Sequence, residues 1–139
     1  MKKMMIAVGL MFMSFSTMAG SAAELTMFLS NKYIEVQAIY FNGRELPVEE
    51  CNKDDVTFMH ANGTYTYTAN TPCSDIDDED ETGRWRVYNQ SGKIFMETVS
   101  PDEVSVLTVQ SYTSKQVVVQ ETFEEDGMEF EFKMILKIK

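Results

Sequence analysis

From Met128 to Ile138 the chain alternates with a period of two. Met128, Phe130, Phe132, Met134, Leu136 and Ile138 share one face, and Glu129, Glu131, Lys133, Lys137 and Lys139 share the other. Successive side chains of a β-strand point to opposite faces, so this stretch reads as a strand with one buried and one wet face. The same period recurs upstream. Tyr33 to Phe41 sets Ile34, Val36, Ala38 and Tyr40 against Tyr33, Glu35 and Gln37, and Gly83 to Asn89 sets Trp85 and Val87 against Arg84 and Arg86. Val56–His60, Thr64–Ala69, Lys93–Val99, Val104–Tyr112 and Lys115–Glu124 complete the strands. Turn chemistry separates them at Asn42-Gly43, Ala61-Asn62-Gly63, Ser91-Gly92, Ser100-Pro101-Asp102-Glu103, Thr113-Ser114 and Asp126-Gly127. Leu46 to Glu50 reads as irregular, and Leu25 to Ser30 as one short helical turn. Short strands joined by tight turns predict an antiparallel meander, and eight strands close well into a barrel without edges. The expected fold is all-β: an eight-stranded antiparallel up-and-down β-barrel, with a two-sheet β-sandwich as the alternative.

The N-terminus carries a different signal. Lys2 and Lys3 precede an uncharged apolar run from Met4 to Phe15, and small residues follow at Ala19, Gly20, Ser21, Ala22 and Ala23. The run is too short for a bilayer core of about 30 Å, so it reads as a secretory signal peptide. Residues 1–23 are expected to be removed, with cleavage after Ala19, Ala22 or Ala23, leaving 24–139 as one domain. The expected location is the bacterial periplasm or the exterior. Of 12 basic residues, Lys2 and Lys3 lie in this segment, so the exported part carries 10 against 22 acidic residues. Nucleic acid and anionic membrane surfaces repel such a chain, and no membrane span is expected.

Both cysteines, Cys51 and Cys73, lie in the exported part. An even pair in an oxidising compartment is expected to bond. The three-residue turn Ala61-Asn62-Gly63 places His60 opposite Thr64, and the same count places Cys51 opposite Cys73. A redox pair would need Cys-x-x-Cys, and a zinc site four N or S ligands; neither pattern is present.

Several of these residues together resemble the bacterial lipocalin-like domain family of small secreted calycin-type β-barrels. They are Cys51-x-x-Asp54-Asp55, Phe58 before Asn62-Gly63-Thr64-Tyr65, then Cys73 and Gly83-x-Trp85. The resemblance covers most of the exported chain. Where that family often begins Leu-x-Gly-x-Trp, this sequence has Leu29-Ser30-Asn31-Lys32-Tyr33. The resemblance implies an eight-stranded barrel with a small-molecule pocket and no catalytic residues.

The acidic run Asp75-Ile76-Asp77-Asp78-Glu79-Asp80-Glu81 lacks the spacing of an EF-hand. Counted from Asp75, position six is Asp80 instead of glycine and position twelve is Arg86 instead of glutamate. It reads as a solvated loop, with an irregular calcium site as the alternative. His60, the only histidine, sits beside a turn without a sequence-evident catalytic partner. Glu35, Glu97 and Glu121 are strand acids that would matter only if paired in space. Asn62-Gly63-Thr64 and Asn89-Gln90-Ser91 fit a glycosylation sequon but read as turn chemistry. Trp85, Val87, Ile94, Met96, Phe130, Phe132 and Met134 are the candidate barrel-interior, ligand-binding residues, with Trp85 near the floor. A domain of this length favours a largely filled interior. No cofactor, metal or catalytic group is expected. The expected partner is a small apolar or amphipathic ligand at the barrel mouth. The second expectation is a protein-interaction module, such as an inhibitor or accessory factor of an envelope or secreted enzyme, that engages a basic protein through the acidic chain and its loop Asp75–Glu81.

Overall fold

The computed structural model describes residues 21–49, 55–69 and 80–139. Among these residues one helix, α1 (Ser21–Leu29), precedes nine strands: β1 (Lys32–Phe41), β2 (Arg44–Leu46), β3 (Val56–Met59), β4 (Thr64–Thr68), β5 (Glu81–Gln90), β6 (Lys93–Val99), β7 (Val104–Tyr112), β8 (Gln116–Glu125) and β9 (Met128–Ile138). Each strand from β3 onward pairs antiparallel with the next, and β9 returns to pair with β1. β1 also pairs with β3, so eight strands close the ring. This is the expected up-and-down barrel; the sandwich is excluded by the β1–β9 ladder.

The ninth strand is β2, which falls where the sequence predicts a turn followed by an irregular stretch. Asn42 (φ 51°) and Gly43 (φ 80°) form a two-residue turn that pairs Phe41 with Arg44. Two successive positive φ angles suit the right-handed twist of the flanking strands. β2 then lies along the C-terminal half of β1, while β3 covers its N-terminal half. All three residues of β2 are exposed, which hides them from a hydrophobic pattern.

Two register shifts bend the barrel. In β1 the pairing jumps across Gln37, and in β7 across Gln110. An extra residue on one strand reverses the phase of everything after it. The first shift corrects the predicted face Ile34, Val36, Ala38 and Tyr40. Ile34, Val36 and Ile39 share the interior, and Tyr40 turns outward to Lys133, whose Nζ lies 5.2 Å from the ring centroid.

The two ends of the barrel differ. At one end α1 lies across the opening. It is longer than the single turn expected, and Leu25 and Leu29 are fully buried. They join Met59, Trp85, Ile94, Val109, Val117, Val119, Leu136 and Ile138 in one cluster. Tyr112 donates its hydroxyl to Glu24 Oε1 at 2.6 Å, and Phe28 meets the Tyr112 ring edge-on. Asn31 ends the helix in the left-handed region (φ 60°), donates its N–H to Met59 O, and accepts from Ala61 N through Oδ1. The helix starts inside the segment expected to be cleaved. Ala22 is 8% exposed and donates its N–H to Asn89 Oδ1. Cleavage after Ala19 leaves α1 whole, whereas cleavage after Ala22 or Ala23 removes that contact.

Gly83 explains the glycine of Gly83-x-Trp85. It pairs with Tyr65 across β4 and β5. A Cβ there would stand 2.4 Å from Val99 O and 2.5 Å from the Tyr65 ring. The aromatic ring covers the space a side chain would need.

Candidate functional site

The opposite end of the barrel holds a chamber of about 380 Å³. Ligand pockets run from about 300 to 1,000 Å³, so this one suits a small molecule. Ile34, Val36 and Ile39 of β1, Met96 of β6, Leu107 of β7, and Met134 and Leu136 of β9 make its apolar walls. A smaller polar arc comprises Glu35, Asp55, Thr57, Tyr67, Thr98 and Ser105. The expectation of a largely filled interior therefore holds only for the half beneath α1. There the aliphatic core is packed, and above it the side chains stop short of one another.

Period two explains which residues reach the chamber. Thr57 pairs with Tyr67, Met96 with Leu107, and Thr98 with Ser105, so each contributes from matched positions on neighbouring strands. The candidate residues divide accordingly. Met96 and Met134 line the chamber. Trp85 (5% exposed) and Ile94 (4%) lie in the packed core, and Val87 packs against it half-buried. Trp85 donates its indole N–H to His60 O at 3.0 Å, which ties it to the β3–β4 turn. Phe130 and Phe132 occupy the same face of β9 as Met134, farther along the strand and outside the chamber. Phe130 stacks between Phe41 (5.6 Å) and Phe123 (5.4 Å).

Asp55 and Tyr67 were not singled out from the sequence as site residues. Tyr67 donates its hydroxyl to Asp55 Oδ2 at 2.7 Å. Asp55 Oδ1 is buried and accepts no hydrogen bond among the described residues. A carboxylate oxygen without water or a donor is costly to keep. The available signal was the alternation Thr64-Tyr65-Thr66-Tyr67-Thr68, which sends both tyrosines to one face.

Tyr65 forms a parallel contact deeper in the barrel, donating to Glu81 Oε1 at 2.8 Å. Burial, then the hydrogen bond to Glu81 and its charge, push the phenol up to about 12 from 10.0. Below pH 10 folded and unfolded chains both keep this proton, and the contribution to stability is complete. Between about pH 10 and 12 only the folded chain keeps it, so stability should fall by roughly 2–3 kcal/mol. Urea titrations across this range would measure the slope. Tyr65→Phe should flatten it, and an unchanged slope in that variant would refute the assignment.

The remaining titratable candidates serve the scaffold. Glu97 accepts from Arg86 Nε at 2.7 Å, and Glu35 lies 3.0 Å from Lys139 Nζ. Glu121 faces Phe132 across β8 and β9. These three acids do not converge. His60 hydrogen-bonds Thr66 Oγ1 through Nε2 at 2.9 Å and meets the Phe58 ring edge-on. Asn62 Oδ1 accepts from Thr64 N and Thr64 Oγ1, which is turn chemistry. Asp80 accepts from Ala69 N, so with Glu81 the end of the acidic run anchors strands. Residues 75–79, Cys51 and Cys73 lie outside the described residues. The β3–β4 register does run as expected, from Met59↔Tyr65 to Val56↔Thr68. Among the described residues no three His, Cys, Asp or Glu side chains gather as metal ligands. No described helix is long and apolar enough to cross a membrane.

No protein-family model matches the chain, and no curated protein matches it.

Proposed function

We propose that this chain is an exported, non-enzymatic, lipocalin-like binding protein that holds a small apolar or amphipathic molecule in its barrel. One observation carries the reading: an apolar-walled chamber of about 380 Å³ lies above a floor sealed by α1. Supporting it, Phe130, Phe41 and Phe123 extend an apolar face beyond the chamber, and Phe123 stays 39% exposed. Native mass spectrometry of the purified protein, followed by thermal shift with medium-chain alkyl compounds, tests the proposal. A saturating ligand at about 100 times its Kd should add about 2.7 kcal/mol of stability. A barrel that carries nothing and gains no stability from any of them would refute it.

Export to an oxidising compartment belongs to the same proposal, with cleavage after Ala19 because that site leaves Ala22 in the core. The mass of the mature protein reads the cleavage site directly. The Cys51–Cys73 disulfide is the companion expectation. Replacing both cysteines by serine should cost about 3 kcal/mol in denaturant titration. Two free thiols in native, unreduced protein would exclude the bond.

A second reading is docking to a basic protein through the β8–β9 tip. Glu124 stands opposite Glu129 there, and Glu125 and Asp126 are exposed beside them. Like charges placed directly across a ladder cost stability that a cationic partner would recover. Pull-down at low and high salt tests it, since binding indifferent to salt would rule it out.

A further inference from the structure

We infer that the chamber selects a ligand with a cationic head, a protonated alkylamine, held by Asp55 while its tail lies along the aliphatic walls. This rests on the ligand-carrier reading above and specifies the chemistry of its ligand. The chamber's described lining contains no lysine, arginine or histidine, and its charged members are the acids Glu35 and Asp55. Glu35 is already paired with Lys139. Asp55 carries the buried acceptor left unused, because Tyr67 occupies Oδ2 and nothing among the described residues occupies Oδ1. The terminal torsion of an aspartate is soft, so a small rotation offers either oxygen to a donor inside the chamber. An ammonium supplies three N–H donors and the opposite charge, which satisfies the orphaned oxygen. A carboxylate ligand of the same length would meet Asp55 with like charge and no proton to donate. The surrounding apolar wall strengthens both effects by lowering the local dielectric. Tyr67 holds the carboxylate at the wall, and Thr98 and Ser105 offer hydroxyls within the same chamber.

Octylamine, 1-octanol and octanoate share one tail and differ in head group, so the mature protein can be titrated with each by calorimetry at neutral pH. Octylamine should bind about tenfold or more tightly than octanol, and octanoate weakest of the three. Asp55→Asn keeps an acceptor for Tyr67 and should erase the preference for amine over alcohol. The wild-type series decides the matter even if that variant folds poorly. Equal binding of amine and alcohol, or tightest binding of octanoate, would overturn the inference while leaving the carrier reading intact. Failure of all three to bind would overturn both.

Discussion

Trp85→Ala should destabilise the protein by about 3–5 kcal/mol in urea titration, the largest effect of any single side-chain truncation considered. The indole is 5% exposed and lies in the core cluster with Met59, Ile94 and Val117. Its loss opens a void that a closed barrel cannot collapse, because every wall strand is hydrogen-bonded on both sides. It also removes one of the two donors to His60 O, which keeps the Gly63 N–H. Trp85→Phe restores much of the volume but not the N–H, so it should recover most of the loss and leave about 1 kcal/mol. A cost below about 1 kcal/mol for Trp85→Ala would show that the floor is not packed as described.

Leu25→Ala should cost about 2–5 kcal/mol, towards the upper end because the side chain has no exposure at all. The expectation is informative because α1 is covalently attached only through a short link to β1. An appended helix that merely rested on the barrel would lose almost nothing on truncation. Here Leu25 and Leu29 finish a core that the strands leave open, so the whole transition should shift and remain cooperative. Denaturant titration followed by tryptophan fluorescence, with Trp85 as the sole reporter, reads this directly. Exposed Met27 on the same helix serves as the control, since Met27→Ala should stay within about 0.5 kcal/mol. A two-step unfolding, with α1 lost first, would refute the plug.

Much of the barrel was legible because its signals are local. Asn42-Gly43, Ser91-Gly92 and Asp126-Gly127 each place two positive φ angles in succession, and each joins neighbouring strands. Gly63 (φ 91°) closes the β3–β4 turn in the anticipated register. Alternation found the long strands, β9 most clearly. It missed β2, whose three exposed residues carry no buried face. It also misassigned the second half of β1, because a bulge at Gln37 has no composition of its own. The candidate site was legible in part. Met96 and Met134 were named and line the chamber, whereas Ile34, Ile39, Asp55 and Tyr67 were not. An apolar residue that lines a cavity and one that fills a core look alike in one dimension.

What the amino-acid order determined alone is the alternation of faces and the placement of turns, because both arise between near neighbours on the backbone. Those two properties imply antiparallel hairpins and a rolled sheet. The third dimension decided the rest. Whether Trp85 lay in the core or in a pocket depended on where α1 sealed the barrel. Whether Asp55 was solvated or stranded depended on Tyr67 arriving from the adjacent strand. Both outcomes are set by contacts between residues distant in the chain, whose energies exist only once the ring of strands has closed.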